Sequence, residues 1–360
     1  MLYIYTNFKM SFTKYRPVDS AIAYNELIND PLHDLTDSEN ALKEVISSNE
    51  QFDISKYVCL FANEYTDIFT DILINYSNET RQIAHIIISS DSPLKLIKHC
   101  KFLSSVRLIQ LEIIPIIGTG SVDFNEIVCA LRKNTCLICI NAINPDTGYI
   151  NNIAIIGEKC KKYHIPLHVD VTNYINLNII APSLFNIDCF TVTFNLSCIH
   201  VIKRMVYEGY NLHYPISNNI YRFVSTFIEY NLLIKNRKSL ISNCVAKKEY
   251  FIKKLSTNFK VVYLTPDLVL DLDLEQIILI STQASESPYI SSILAMSIIK
   301  KGTANFKQYM AENDVLIDEC SVSYITTIYK LPNLYSICLQ YVKTSDIDKF
   351  IELLKKYITN

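Results

Sequence analysis

Apolar and polar positions along this chain fall into two alternating patterns. Short apolar runs at 57–62, 85–89, 107–114, 136–141, 165–170 and from 189 to near Phe194 read as strands. Between them, 66–76, 92–103, 123–132 and 153–163 place apolar residues at helical spacing, as Phe124, Ile127, Val128 and Leu131 show. Ser92 followed by Pro93 offers an N-cap and a first helical position. Strand, helix, strand, repeated in this way, predicts a parallel sheet with helical crossovers. The polar residues Asn144, Asp170, Asn173 and Thr193 fall where such strands end. In open α/β sheets the ligand crevice lies along those carboxyl ends.

The flanks differ from this middle. Residues 1–55 contain Pro17 and Pro31 and predict an irregular arm with short helices at 18–29 and 38–48. Beyond Tyr207 come two longer helical patterns, 221–235 and 239–255. A smaller α+β pattern then follows: strands at 260–264, 276–280, 315–317, 323–328 and 335–341, and helices at 289–300 and 345–358. The predicted organisation is an N-terminal arm (1–55), a large α/β domain (56–255) and a small α+β domain (256–360).

Composition narrows the function classes. A chain of 360 residues with 49% hydrophobic and 19% charged residues has the makings of a folded protein with a large core. A formal charge of −2 supplies no electrostatic pull towards nucleic acid or an anionic membrane. The lysine pairs, such as Lys161–Lys162 and Lys355–Lys356, read as solvated helix faces. No apolar run reaches the ~18 residues of a membrane span, and the start of the chain lacks signal-peptide features, so an intracellular protein is expected.

The 11 cysteines are scattered without a repeating spacing, which suits a reducing compartment. Cys136 and Cys139 fall in a strand pattern that would send them to opposite faces, against a metal pair. His164 and His168 straddle a loop-to-strand junction, and no metal site is predicted. With only 6 glycines, chiefly in the turn Gly118-Thr-Gly120 and near Gly148, the chain has few places for a phosphate-cradling loop. An AT-rich genome would deplete glycine in the same way.

Residues 135–207 carry a family likeness. They resemble the large-domain core of cysteine desulfurases (NifS-like), in the class-V aminotransferase group of pyridoxal-phosphate (PLP) enzymes, fold type I. Asn144-Pro-Asp146-Thr-Gly148 stands at the family's N-N-E-x-G loop, and His168-Val-Asp170 at its H-x-D strand end. The run from Asp188 to Thr193 matches the strand that leads into the cofactor lysine, and 60–67 looks like the phosphate loop, with Thr66 at its threonine. The resemblance is detailed over about 55–260 and continues weakly to the end. It implies a fold-type-I PLP-transferase-like α/β fold: a mainly parallel sheet flanked by helices, with a smaller α+β C-terminal domain.

The same resemblance implies cofactor contacts at Thr66, Asn144, Asp170, Asn173 and Thr193, with Asp170 facing the pyridine nitrogen, and adds Arg222 as a further candidate. Each has a bland counterpart: Asp170 as a strand-end carboxylate capping a turn, Thr66 and Thr193 as ordinary β-branched residues, His168 as a hydrogen-bonded core histidine.

The catalytic positions depart from the family. Where it has S-x-H-K, this chain has Thr193-Phe194-Asn195-Leu196, and leucine cannot form a Schiff base. Lys203 is the nearest lysine downstream. Pro93 stands near the family's ring-stacking histidine, Glu64 and Tyr65 at its phosphate-loop glycine-alanine pair, and Cys338 at its substrate-binding arginine. Cys320 is the thiol nearest the family's mobile nucleophile, beside Glu319.

The expected function is therefore a desulfurase-like scaffold or binding protein without catalytic residues or PLP. The alternative is an active or non-covalent PLP-binding enzyme using a relocated lysine such as Lys203. The chain also resembles the degenerate desulfurase-like proteins of large cytoplasmic DNA viruses, which implies the host cytoplasm or virion. The resemblance further implies a homodimer, alongside an unknown protein partner, no nucleic acid and no membrane.

Overall fold

A computed structural model describes residues 10–11, 54–62, 66–118, 120–172, 185–193, 198–209, 237–264, 276–280, 293–300, 305–319, 330–339 and 342–359. The predicted helices at 18–29, 38–48 and 221–235 and the strand at 323–328 lie outside these residues.

The large sheet is built from β1 (Tyr57–Ala62), β2 (Ala84–Ser89), β3 (Ile109–Ile114), β4 (Thr135–Asn141), β5 (Leu167–Asp170), β6 (Cys189–Thr193) and β7 (Cys198–Lys203). Their order is β1-β7-β6-β5-β4-β2-β3. Every neighbouring pair from β6 to β3 is parallel, while β7 runs antiparallel to both β6 and β1. The helices between strands are α1 (Asp67–Thr80), α2 (Leu94–Ser105), α3 (Phe124–Ala130) and α4 (Ile153–Lys162). The expected mainly parallel α/β sheet is thus present, within a residue or two at most ends.

Local chemistry explains several boundaries. Asp123 caps α3 by accepting from the Asn125 amide, and Asn152 caps α4 through the amide of Ile155. Pro93, not Ser92, occupies the N-cap of α2, so the predicted cap was one residue early. Gly157 in α4 is required by packing: a Cβ there would lie 1.8 Å from the backbone oxygen of Phe185. Gly120 adopts φ +117° in the turn between the short strands Ile116–Ile117 and Ser121–Val122.

The second sheet contains β8 (Val261–Tyr263), β9 (Gln276–Leu279), β10 (Ile293–Ile299), β11 (Asp318–Glu319) and β12 (Tyr335–Cys338), in the order β8-β9-β10-β12-β11. Helices α5 (Arg204–Gly209), α6 (Arg237–Asn258), α7 (Phe306–Glu312) and α8 (Thr344–Thr359) complete the described elements. Helix α8 buries Ile347, Phe350, Ile351 and Leu354 against this sheet, each worth roughly 1.5–3 kcal/mol of burial.

Two expectations are corrected here. Residues 289–300 read as a helix, yet Ile293–Ile299 is β10, paired antiparallel with β9 and β12. All seven of its residues are buried, and a fully buried strand has no period by which to tell it from a buried helix. Cys136 and Cys139 join the same apolar cluster, because a register shift opposite His85 and Ile86 inserts an extra residue in β4.

The two sheets share packing. One apolar cluster joins Ile138, Val169 and Val192 of the large sheet to Ile278, Ala295 and Ile299 of the second. The Ser336 hydroxyl on β12 also donates to the Pro145 carbonyl at 3.4 Å, beside the loop that follows β4.

Candidate functional site at the carboxyl edge of the large sheet

Parallel register lines up the polar residues that the sequence places at strand ends. Asn141 ends β4 and pairs with Asp170 at the end of β5. Asp170 pairs with Thr191 of β6, two residues before Thr193, which faces Cys198 of β7. Because side chains alternate, Asp170 shares a sheet face with His168, and Phe69 of α1 packs edge-on to His168 at 4.7 Å. The row therefore lies on the face covered by α1.

Three of the predicted contacts, Asp170, Asn144 and Thr193, have a definite local job. Buried Asp170 accepts the Thr172 amide at 2.8 Å, the turn-capping role of a strand-end carboxylate. Fully buried Asn144 accepts the amides of Asp146 and Thr147 at 2.9 and 3.0 Å and donates to the Gly120 carbonyl at 3.2 Å. Its oxygen is thus committed to shaping its own loop. Thr66 sits at the N-cap of α1 with helical dihedrals and makes no side-chain capping bond. The Thr193 amide donates to Thr172 Oγ1 at 3.0 Å, tying β6 to the turn after β5. Asn173, Leu196, Arg222, Cys320, Glu64 and Tyr65 lie outside the described residues.

Three further positions are placed. Pro93 opens α2 at this edge. Cys338 is buried in β12 on the face of Ser336, two residues before it. Lys203, the candidate replacement lysine, is displaced from the site altogether. It ends β7, roughly 16 Å along the strand from Cys198, at the opposite edge of the sheet. There its Nζ pairs with Asp188 Oδ1 at 2.6 Å. The direction of β7 thus sets Lys203 at the edge of the sheet opposite Asp170.

Beneath Asp170 runs a buried chain of side chains. His168 Nε2 lies 2.7 Å from Thr191 Oγ1, which lies 2.6 Å from His200 Nδ1. His200 Nε2 in turn lies 3.3 Å from Cys198 Sγ. Burial, and then His200, hold the His168 imidazole well below its ordinary pKa, so it is a neutral core histidine.

One residue of the edge went unnoticed in the sequence. Asp91, just beyond β2, is buried and accepts the Ser89 hydroxyl at 2.5 Å on Oδ1, while Oδ2 has no hydrogen-bond partner. Burial pushes its carboxyl up to about 6 against the Ser89 hydroxyl, which favours the ionised form. Asn141 Nδ2 donates to the Asp91 backbone oxygen at 2.6 Å, which seats Asp91 and Asp170 on either side of Asn141. The signal for it was the polar stretch Ser89-Ser-Asp-Ser92 between an apolar strand and a helix.

The sequence between β6 and β7 offers no amine to which a PLP aldehyde could be bonded. The register Thr193↔Cys198 leaves Phe194, Asn195, Leu196 and Ser197 to connect β6 with β7, and none is a lysine. Among the described stretches at this edge, 89–93, 141–151 and 170–172 contain no basic residue. No cluster of metal-ligating residues occurs among the described residues. No described helix is long and apolar enough to cross a membrane.

Known proteins resemble this part of the chain. Residues 47–193 match the family Aminotransferase class-V. Cysteine desulfurase IscS of Buchnera aphidicola subsp. Schizaphis graminum is 33% identical over 88 residues, 24% of this chain and 22% of that protein. IscS of Photorhabdus laumondii is 40% identical over 55 residues, 15% of this chain and 14% of that protein. The matches thus span less than a quarter of the length of these curated relatives.

The NifS-like protein from Rickettsia africae ESF-5 superposes with a TM-score of 0.68 at 15% identity, covering 98% of this chain and 100% of that one. The apo cysteine desulfurase from Thermococcus onnurineus NA1 gives a TM-score of 0.70 at 8% identity, covering 98% and 95%. At such identities the structures establish the fold. Residues 47–193 are thus similar to the class-V aminotransferases, and the chain has the fold of the cysteine desulfurase and NifS-like structures.

Proposed function

We propose that this protein is a cysteine desulfurase-like protein that has lost covalent PLP catalysis and acts as a scaffold or binding protein. The observation that carries this reading is the link between β6 and β7. It has four residues, Phe194 to Ser197, and the family resemblance sets Leu196 among them at the position of the cofactor lysine. Without an amine at that point the cofactor cannot be bonded to the protein, and the electron-sink chemistry of the family has no anchor. Cys338 in place of the substrate-binding arginine supports the same conclusion, because a thiol cannot make a bidentate pair with a carboxylate.

The division into a 1–55 arm, a 56–255 domain and a 256–360 domain belongs to this proposal. So do a homodimer, a protein partner, kinship with viral desulfurase-like proteins, and residence in the host cytoplasm or virion.

The test is to purify the chain with added PLP, reduce it with borohydride and map lysine adducts by mass spectrometry. The expected result is no absorbance band of an internal aldimine and no phosphopyridoxyl-lysine. A stoichiometric adduct at any single lysine would sink the proposal. The buried position of Asp170 on the face of α1 favours a second reading, non-covalent PLP binding through Thr66, Asp170 and Thr193. Isothermal titration of PLP into the protein and into Asp170→Ala separates the two: heat that disappears in the variant selects the second.

A further inference from the structure

We infer that the amino edge of the large sheet, at the entries to β2 and β3, is a docking surface for an acidic polypeptide segment that carries apolar side chains. This gives the scaffold reading above a surface and a partner chemistry, and it uses no residue of the carboxyl edge.

Register assembles the surface. Ala84 pairs with Ile109, so Ile83 and Leu108, the residues before them, enter the sheet side by side, about 5 Å apart by strand spacing. Val106 closes the last turn of α2, its amide donating to the Phe102 carbonyl at 3.2 Å, which sets these two residues on one face. The Leu108 amide donates to the Leu103 carbonyl at 3.0 Å and ties that turn to the strand entry. Asn134 Nδ2, just before β4, donates to the Ile83 carbonyl at 2.6 Å and holds the neighbouring turn against the same place. Ile83, Phe102, Val106 and Leu108 are 47%, 61%, 48% and 50% exposed. Large apolar side chains gathered half out of the protein leave a solvation cost that a covering partner recovers.

Charge names the partner. Residues 80–90, 94–111 and 128–145 hold one, four and two lysines or arginines in turn, and no aspartate or glutamate. Glu112, which follows the second stretch, is taken by Arg132 at 3.0 Å. Arg81, Lys101, Arg107 and Lys133 meet no carboxylate among the described residues. Helix ends favour cations, so each turn by itself has a bland explanation. That explanation does not cover the four apolar side chains that lie among them. The formal charge of −2 conceals this local excess of one sign.

The sheet favours a polypeptide over a lipid surface or a nucleic acid. Strand β3 is the last of its sheet, and among the described residues no strand pairs with its outer edge. Leu108 leads directly into that edge, whose backbone N–H and C=O groups an extended segment can pair. Leu111 and Ile113, partly buried, line the face of the same strand that α2 covers. A nucleic acid gains nothing from the apolar side chains, and a bilayer gains nothing from the open edge.

The probes are labelled peptides of alternating leucine and glutamate, leucine and lysine, and serine and glutamate, read by fluorescence anisotropy against the full chain. The leucine-glutamate peptide is expected to bind at least tenfold tighter than either of the others, and to weaken at least tenfold from low to high salt. Lys101→Glu/Lys133→Glu is expected to weaken it at least tenfold and Phe102→Ser at least fivefold, whereas Lys349→Glu/Lys356→Glu on α8 stays within twofold. All five side chains are exposed, and thermal melts check that each variant folds.

No binding of the leucine-glutamate peptide, equal binding of the three peptides, or a charge reversal at 101 and 133 without effect would each overturn the inference. A doubled mass by light scattering that Phe102→Ser abolishes would overturn it in favour of a second copy of this chain. Sedimentation with phosphatidylcholine-phosphatidylglycerol vesicles, without peptide binding, would overturn it in favour of a membrane. A borohydride-trapped lysine with peptide binding intact defeats only the loss of covalent chemistry proposed above. Loss of peptide binding without an adduct defeats only this surface.

Discussion

The two edges of the large sheet treat charge in opposite ways. At the amino edge Lys203 meets Asp188 at 2.6 Å, and the other oxygen of Asp188 accepts the Leu167 amide at 2.9 Å. Both oxygens of Asp188 thus close on the protein itself. At the carboxyl edge Asp91 is more deeply buried than either partner of that pair, and one of its oxygens has nothing to accept. Each edge thus leaves one buried polar atom unpaired among the described residues, a carboxylate oxygen of Asp91 at the carboxyl edge and Nε2 of His85 at the amino edge, so the edges differ in the kind of group left over and not in whether one is left.

Strand β2 holds both behaviours within six residues, which makes the comparison measurable. His85 lies at its amino end, bonded through Nδ1 to Thr135 Oγ1 at 2.8 Å, and burial followed by the charge of Arg132 lowers its pKa to about 4. Asp91 lies just past its carboxyl end, with a carboxyl raised to about 6. For Asp91 the unfolded chain ionises first as pH rises from about 4, so the native state loses stability between about 4 and 6 and the loss is complete above. A shift of that size corresponds to about 3 kcal/mol.

For His85 the unfolded chain takes up its proton first as pH falls below 6.5, so stability is lost on acidification from 6.5 towards about 4. The two slopes oppose each other over the same window. Asp91→Asn removes one of them: the variant should match the parent near pH 4 and exceed its stability at pH 7.5 by up to about 3 kcal/mol. Urea unfolding at the two pH values checks this. A variant less stable than the parent at pH 7.5 would show that Asp91 is a structural carboxylate, and would erase the contrast between the edges.

Much of this arrangement was legible in the sequence. The runs ending at Asp170 and Thr193 have their boundaries where the strand pattern stops, because parallel strands covered on both faces read as continuous apolar stretches. Asn144 and Asp170 were found through their place in that pattern. What stayed hidden depended on partners remote in the chain. Strand β10 was read as a helix because burial on both faces removes the period that would have identified it. Strand β7 was not foreseen, since its run is meaningful only as the return leg of a hairpin on Thr193. Asp91 looked like one polar residue in a loop, and only its closeness to Asn141, fifty residues away, gives it significance.

The amino edge offers the next largest effect. Asp188→Ala removes the partner of Lys203 and the acceptor of the Leu167 amide together, leaving a half-buried ammonium and an unsatisfied N–H. The expected loss is about 2 kcal/mol, seen as a lower urea midpoint. Because both contacts are internal to the sheet, any PLP affinity at the opposite edge should remain within about twofold of the parent. A larger change would mean that the edges are coupled through β6 and are not independent devices.

The smallest effect is the sharpest discriminator. Lys203→Met keeps much of the side chain's apolar stem, and the Leu167 amide keeps its acceptor on Asp188. What is lost is one ion pair whose side chains are 24% and 20% exposed, worth about 1 kcal/mol or less. If Lys203 were the cofactor lysine, the same substitution would abolish PLP absorbance and borohydride adducts while changing stability little. The direction of β7 argues against this, since bringing Nζ of Lys203 to Asp170 would require the strand to slide by its own length and break its register with β1 and β6. Lys203→Met is therefore expected to leave the PLP spectrum, and any residual PLP affinity, unchanged from the parent. The spectrum, not the stability, decides which edge of the sheet Lys203 serves.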